Sequence, residues 1–202
     1  MRLFFSPGAC SLSPHIVTRE LGLEVKLEKM DGKTHTLAAD GTDYYRLNAK
    51  GSVPALELDD GQVLTEGAVI VQYLADQKPE AGLVPKAGTM ERYRLQEWLN
   101  FIATDLHKQL SPLYNPKMTP ELKAALLERF VQRIGVAAKR LEQGPWLMGA
   151  QFTVADPYLF TVLRWTKRFE VDLGKFPSIV DFMTRMNERP AVKAALAAEG
   201  LS

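Results

Sequence analysis

The chain is poor in the residues that staple, export or metallate a protein. Its 202 residues include one cysteine, Cys10, and three separated histidines, His15, His35 and His107. One cysteine excludes an internal disulfide framework, and this set offers no zinc-ligand spacing, so no metal is expected. Long apolar runs are missing as well. No segment approaches the ~18 continuous apolar residues that span a bilayer, and the stretch before Pro7 is too short for a signal sequence. Neither sign of charge dominates, since 25 Lys and Arg face 24 Asp and Glu for a formal net charge of +1. Without a Lys/Arg run, neither nucleic acid nor an anionic membrane is an expected partner. The expected setting is the reducing cytoplasm, where a lone thiol persists.

What is present is an ordinary soluble composition, 46% hydrophobic and 24% charged, in a chain long enough for one domain or two small ones. The first half alternates strand and helix signals. Residues 2–6 form a short apolar run ended by Pro7-Gly8, as a buried strand followed by a turn would be. From Ser11, Leu12, Ile16, Val17 and Leu21 recur at helical spacing, with Gly22 as the stop. Residues 25–30 alternate as a second strand, and residues 31–43 read as a polar loop. Residues 55–58 and 62–64 flank Asp59-Asp60-Gly61 as a hairpin, and a helix is predicted over 68–75. The order is βαβ–ββα, a small α/β domain over residues 1–79.

Residues 80–89 have the proline and glycine content of a linker. Beyond them every periodic segment is helical: 90–110, 120–141, 152–169, 176–187 and 191–198. The expected architecture is therefore α/β followed by all-α, with residues 90–202 as the helical domain.

Cys10 falls between a strand-ending turn and a helix start. Helix N-termini stabilise a thiolate, so Cys10 is a candidate nucleophile or mixed-disulfide site; the alternative is a small buried hydrophobe. Ser13 occupies the place of a resolving cysteine in a Cys-x-x-Cys motif, which excludes intramolecular dithiol cycling. Val53-Pro54 is either an ordinary strand entry or a bend that leaves the Val53 main chain to pair with a peptide-like ligand. Glu66, with Gly67 at a helix start, either complements the helix dipole or helps hold an amine and a carboxylate. His107 is a lone helical histidine. Thr153 to Asp156, preceded by Phe152, matches a capping box with a hydrophobic staple, which makes Asp156 a folding residue. Trp98, Tyr158 and Trp165 lie in apolar helical stretches and read as core.

In order and spacing, the segments SPGACSLSPHI, NAKGSVPALELDDGQVLTEG, IVQYLAD, RYRLQEWLNFIATDLHK, FTVADPYLFTVLRW and ERPAVKAALAAEGL resemble the beta-class glutathione transferases of bacteria, over the whole chain. The resemblance implies a thioredoxin-like N-terminal domain joined to a helical domain, and a homodimer. It implies that glutathione is the co-substrate, with no tightly bound cofactor, and that the helical domain supplies the pocket for a small hydrophobic electrophile. Cys10 matches the family's active-site cysteine, able to form a mixed disulfide with glutathione. Val53, before a cis-proline, would pair with the cysteinyl part of the tripeptide, and Glu66 and Gly67 would bind its γ-glutamyl end. Asn100, Thr104, Leu106 and His107 match positions facing the same site, His107 as a catalytic group. Asp105 matches an acid that reaches the neighbouring subunit's glutathione. Two departures stand out. Phe5 replaces a frequent tyrosine, and the polar loop offers His35 or Thr36 where relatives have a lysine, so weaker hold on the glycyl carboxylate is expected. Thiol–disulfide exchange and non-catalytic glutathione binding are the rival activities on the same fold.

Overall fold

Leu3, Phe4 and Phe5 are all buried in strand β1, Arg2–Phe5. A strand apolar on both faces belongs in the middle of a sheet. β1 pairs in parallel with β2, Lys26–Asp31, and antiparallel with β4, Ala55–Glu57; Leu3 stands opposite Leu27 on one side and Leu56 on the other. β3, Thr36–Leu37, extends the sheet beyond β2, and β5, Val63–Thr65, closes the expected hairpin with β4, giving the order β3-β2-β1-β4-β5. β3 falls inside residues 31–43, which read as loop throughout from their sequence. A two-residue strand is too short to leave a period in the sequence.

The structure, a computed structural model, describes residues 1–201. Helix α1, Leu12–Glu20, lies between β1 and β2 in the chain, and Gly22 beyond it has φ +58°, the left-handed conformation that glycine takes without steric cost. Helix α2, Gly67–Asp76, follows β5. Phe4, Met30, Leu37, Tyr44 and Ala55 form a buried cluster with Val53 packed against it. This is a thioredoxin-like domain with a mixed sheet.

By contacts the chain divides into two units, one made of Met1–Val84 and the chain end from Asn187, the other of Pro85–Met186. In the second unit, helix α3, Met90–Phe101, starts at Thr89, whose hydroxyl accepts from the Arg92 N–H. It runs on through a π-helical turn, Ile102–His107, into the short helix α4, Lys108–Leu110. Helix α5, Pro120–Leu141, is capped by Thr119 and opens on a proline, whose missing N–H is harmless there. Helix α6, Ala155–Arg164, is shorter than the periodicity over 152–169 suggests, because residues 165–169 tighten into 3₁₀ geometry. Asp156 at its start is wholly buried and accepts from the N–H groups of Leu147 (2.9 Å) and Thr153 (2.8 Å). Thr153 Oγ1 donates to the same carboxylate (3.2 Å) and the Asp156 N–H to the Thr153 carbonyl (3.1 Å), so the acid's half of the expected capping box is made, and the Phe152 ring packs 5.0 Å from Trp146 beside it. Helix α7, Pro177–Glu188, follows.

Helix α8, Pro190–Ala198, clusters with the first unit, although the sequence groups residues 90–202 together. Just before it, Arg189 forks onto Glu20 at 2.6 and 2.8 Å. Just after it, Glu199 accepts from the Gly8 N–H (2.9 Å) and bonds His15 Nδ1 (2.8 Å), with both side chains shut off from solvent. Among the described residues no helix is long and apolar enough to cross a membrane, and no three His, Cys, Asp or Glu side chains cluster as metal ligands would.

Candidate active site

Cys10 owes its position to a loop that the end of β1 forces into a tight path. Ala9 N–H donates to Ser6 O and Leu12 N–H to Ala9 O, both at 3.0 Å. Ser6 N–H donates to Ser11 Oγ while Ser11 Oγ donates to Ser6 O, each at 3.2 Å. Ser11 is the residue from which α1 starts, so the half-buried Cys10 stands beside the positive end of that helix. A thiolate there gains from the dipole and the helix-start N–H groups. The Sγ atom lies 3.1 Å from the Val53 carbonyl oxygen, to which the S–H donates.

Val53–Pro54 is a cis peptide bond. The bend is held from inside: the Ser52 carbonyl accepts from Tyr44 Oη (3.1 Å) and Asn48 Nδ2 (2.7 Å). Burial holds the Tyr44 phenol above its ordinary pKa, so it stays a donor. Gly51 has φ +64°, and the Tyr45 ring occupies the space a Cβ would need, so only glycine fits. His35, itself at φ +54°, stacks on Tyr45 at 4.9 Å and donates from Nδ1 to the Gly51 carbonyl at 3.0 Å. A carbonyl only accepts, so that bond fixes the proton on Nδ1.

Glu66 precedes α2 with φ +69° and ψ 111°, a conformation that a side-chain-bearing residue rarely takes. Its carboxylate pairs in the open with Lys50 Nζ (2.6 Å), which also donates to Thr65 Oγ1 (2.9 Å). Gly67 opens the helix against the Pro54 ring, so the bend and the helix start adjoin. The first unit therefore brings together Cys10 with Val53, and Gly67 with Pro54, and it places His35 on the Gly51 end of the same bend. Phe5 is buried, with no hydroxyl to offer.

In the second unit the expected residues line one irregular stretch of helix. Asn100 is exposed at the end of α3, and its carbonyl accepts from Thr104 Oγ1 at 3.0 Å. Asp105 accepts from Thr104 Oγ1 (2.9 Å) and pairs with Arg133 of α5 (2.6 Å), whose guanidinium also stacks over Phe101. Leu106 is wholly buried, so its side chain serves the core. His107 Nδ1 lies 2.9 Å from Tyr158 Oη, and the Trp165 ring meets its edge at 4.9 Å. Ile102, Leu106 and Leu110, at steps of four along this stretch, are all fully buried, and π-turns recur at functional sites.

Sequence reading missed the residues that hold the candidates in place. Tyr158 read as core, Tyr44, Asn48 and Gly51 carried no signal of their own, and His15 and Glu199 lie 184 positions apart in the chain.

A mixed sheet with a cysteine at the first helix start and a cis-proline facing it, in a chain that goes on into a helical unit, defines a thioredoxin-like domain joined to an all-helical one. Two family models match: the glutathione S-transferase N-terminal domain over residues 8–77 and its C-terminal domain over residues 101–190. The chain belongs to the glutathione S-transferase family. Glutathione S-transferase GstA of Escherichia coli O157:H7 is 45% identical to it, over 100% of each chain. A sphingomonad glutathione S-transferase solved in complex with glutathione superposes with a TM-score of 0.96 at 41% identity, again over 100% of both chains. The beta-class enzyme of Sphingomonas chungbukensis does so with a TM-score of 0.96 at 42% identity and the same coverage. The chain is thus a glutathione transferase of the bacterial beta-class type, an enzyme whose relatives use glutathione as co-substrate.

Proposed function

We propose that this glutathione transferase conjugates glutathione to small hydrophobic electrophiles, with Cys10 against the glutathione sulfur and able to form a mixed disulfide with it. The observation that carries the reading is the Cys10 thiol at a helix N-terminus, 3.1 Å from the carbonyl of the Val53–Pro54 bend. The bend's main chain suits pairing with the cysteinyl residue of a tripeptide, as an added strand would pair. Glu66, and the N–H groups from Gly67 onward, suit the charged γ-glutamyl end, while His35 lies on the Gly51 side for the glycyl carboxylate. From the second unit Asn100, Thr104, Asp105, the Leu106 main chain and His107 contribute, with His107 as the catalytic group. Apolar side chains of the helical unit receive the electrophile. The protein acts in the cytoplasm as a homodimer, with Asp105 reaching the partner's glutathione.

Glutathione's thiol loses its proton more readily when main-chain donors and a helix dipole stabilise the thiolate, which then attacks the electrophile. Cys10→Ala separates this reaction from its rival. Conjugation of 1-chloro-2,4-dinitrobenzene should persist at a reduced rate, because glutathione's own sulfur is the nucleophile. Reduction of a glutathionylated test disulfide should vanish, because that exchange passes through Cys10. Complete loss of conjugation would shift the assignment to thiol–disulfide exchange. Absence of glutathione binding at millimolar concentration would overturn both.

A further inference from the structure

Ser13 stands three residues after Cys10, in the place a resolving cysteine would take. It is 1% exposed, and its hydroxyl has no hydrogen-bond partner within the protein. A helical hydroxyl has a ready remedy, which is to donate to a carbonyl three or four residues back. Thr18 does so in the same helix, onto His15 O at 2.7 Å, and Thr161 does so in α6, onto Pro157 O at 2.8 Å. Ser13 does not, and a buried polar group left without a partner is costly enough to call for a reason. The turn supplies one. Ser13 N–H donates to the Cys10 carbonyl at 3.2 Å, and across such a three-residue turn the side chains at i and i+3 eclipse. Cys10 and Ser13 therefore share one side of the helix start, the sulfur half-buried and the hydroxyl fully so. From this geometry we infer that Ser13 is a positioning residue for Cys10, its hydroxyl reserved to donate to the sulfur once the sulfur has lost its proton.

The two states of the sulfur make different demands on their surroundings. As a thiol, Cys10 donates to the Val53 carbonyl at 3.1 Å, and the Ser13 hydroxyl is not needed. When the proton leaves for a base in the solvent, that carbonyl faces a negative sulfur and repels it. A thiolate accepts from several donors at once, the helix-start N–H groups and a nearby O–H among them. A donor that comes into use only in the charged state favours that state and makes the thiol a stronger acid. The Ser13 O–H bond stays intact throughout, so the serine is neither acid nor base. Three other titratable groups bear on the Cys10 loop. Tyr44 is kept protonated by burial, and the His15–Glu199 pair reaches the loop through the Gly8 N–H. Substitution of Ser13 leaves all three in place.

The proposal rests on the reading of Cys10 as the reactive thiol, and its test measures that thiol without glutathione. The rate at which iodoacetamide alkylates the folded chain's single cysteine, followed against pH, reports the thiol's ionisation. In Ser13→Ala the midpoint should rise by about one pH unit, the scale of one hydrogen bond to a charged group. The melting temperature should not fall, because the deleted hydroxyl has no partner while Cys10 is a thiol. Ser13→Cys tests the geometry. With oxidised glutathione its two protein thiols should close into an internal disulfide, each oxidised glutathione consumed releasing two reduced ones. An unchanged midpoint in Ser13→Ala, with or without a lower melting temperature, overturns the proposal, and so does failure of Ser13→Cys to form the bridge. If oxidised glutathione forms no mixed disulfide with the parent protein while the midpoint shift is seen, the reading of Cys10 against glutathione falls and the role of Ser13 stands.

Discussion

In residues 1–84 the groups around Cys10 are mostly main-chain groups in unusual conformations, and in residues 85–186 the candidates are side chains aimed by other side chains. The Val53 carbonyl, the cis bond after it, and the left-handed His35, Gly51 and Glu66 belong to the first kind. Asp105 on Arg133, Thr104 on Asp105 and His107 on Tyr158 belong to the second. The difference bears on how each part should fail. A site built from main-chain geometry survives many side-chain changes but depends on the few contacts that clamp its loops. A site built from side chains depends on each helix staying where its cap puts it.

The largest effect is expected at that cap. Asp156→Ala deletes a buried carboxylate and strands the N–H groups of Leu147 and Thr153. Hydrogen bonds to a charged group and two unpaired buried donors together amount to about 4 kcal/mol of stability. Chemical denaturation should show that loss, and activity should fall with it because α6 carries Tyr158. A loss below about 1 kcal/mol would mean that the second unit does not depend on this side-chain anchor.

The corresponding anchor of the first unit is Glu199. Its carboxylate is shut off from solvent and holds both His15 and the Gly8 N–H in the Cys10 loop. Glu199→Ala should cost about 3 kcal/mol, since a buried polar pair is broken from one side. The Cys10 loop should then become more accessible. Alkylation of the folded protein's single cysteine by iodoacetamide, compared with the parent, measures that directly. Unchanged alkylation beside lowered stability would make the clamp purely structural.

These two anchors also mark where sequence reading succeeds and where it stops. The α/β half, the hairpin, the bounds of α5 and the Asp156 cap were legible because each rests on local chemistry: period, turn residues, or a cap three positions away. The β3 pairing was not, because two residues leave no period, and the return of α8 to the first unit was not, because it is made by contacts between distant segments. Cys10 and the Val53–Pro54 bend were visible as candidates on their own, while Tyr158 was not, because a tyrosine in an apolar helix looks the same whether or not its hydroxyl has a partner. His15 and Glu199 are a histidine and a glutamate with no shared pattern until the chain end folds back.

Glu66 tests the main-chain half more directly. Its φ of +69° is strained for any residue with a Cβ. Glu66→Gly removes that strain while adding freedom to the unfolded chain, so net stability should change by less than about 1 kcal/mol. The carboxylate is lost all the same, and the KM for glutathione should rise roughly tenfold if it holds the γ-glutamyl amine. Stability and binding should therefore part company at this position, which they should not do at Asp156. A KM that stays put would show that the main chain alone defines this end of the site.

The smallest effect is expected at His35, where the two ways of building a site meet in one residue. The ring is fixed by donating to the Gly51 carbonyl and stacking on Tyr45, so the main chain determines its tautomer. In its neutral form it then presents a lone pair at Nε2, which repels a carboxylate. Lysine would bring an ammonium with three donors, at the loss of the stacking and of the Gly51 bond. Histidine is also better suited than lysine to φ +54°, so a slight fall in stability should accompany the change. His35→Lys should nevertheless lower the KM for glutathione about threefold, the scale of one exposed charge-assisted contact, and leave kcat nearly unaltered. Steady-state kinetics with glutathione as the varied substrate checks this. An unchanged KM would place the glycyl carboxylate away from His35 and leave the Gly51 turn as the residue's whole purpose.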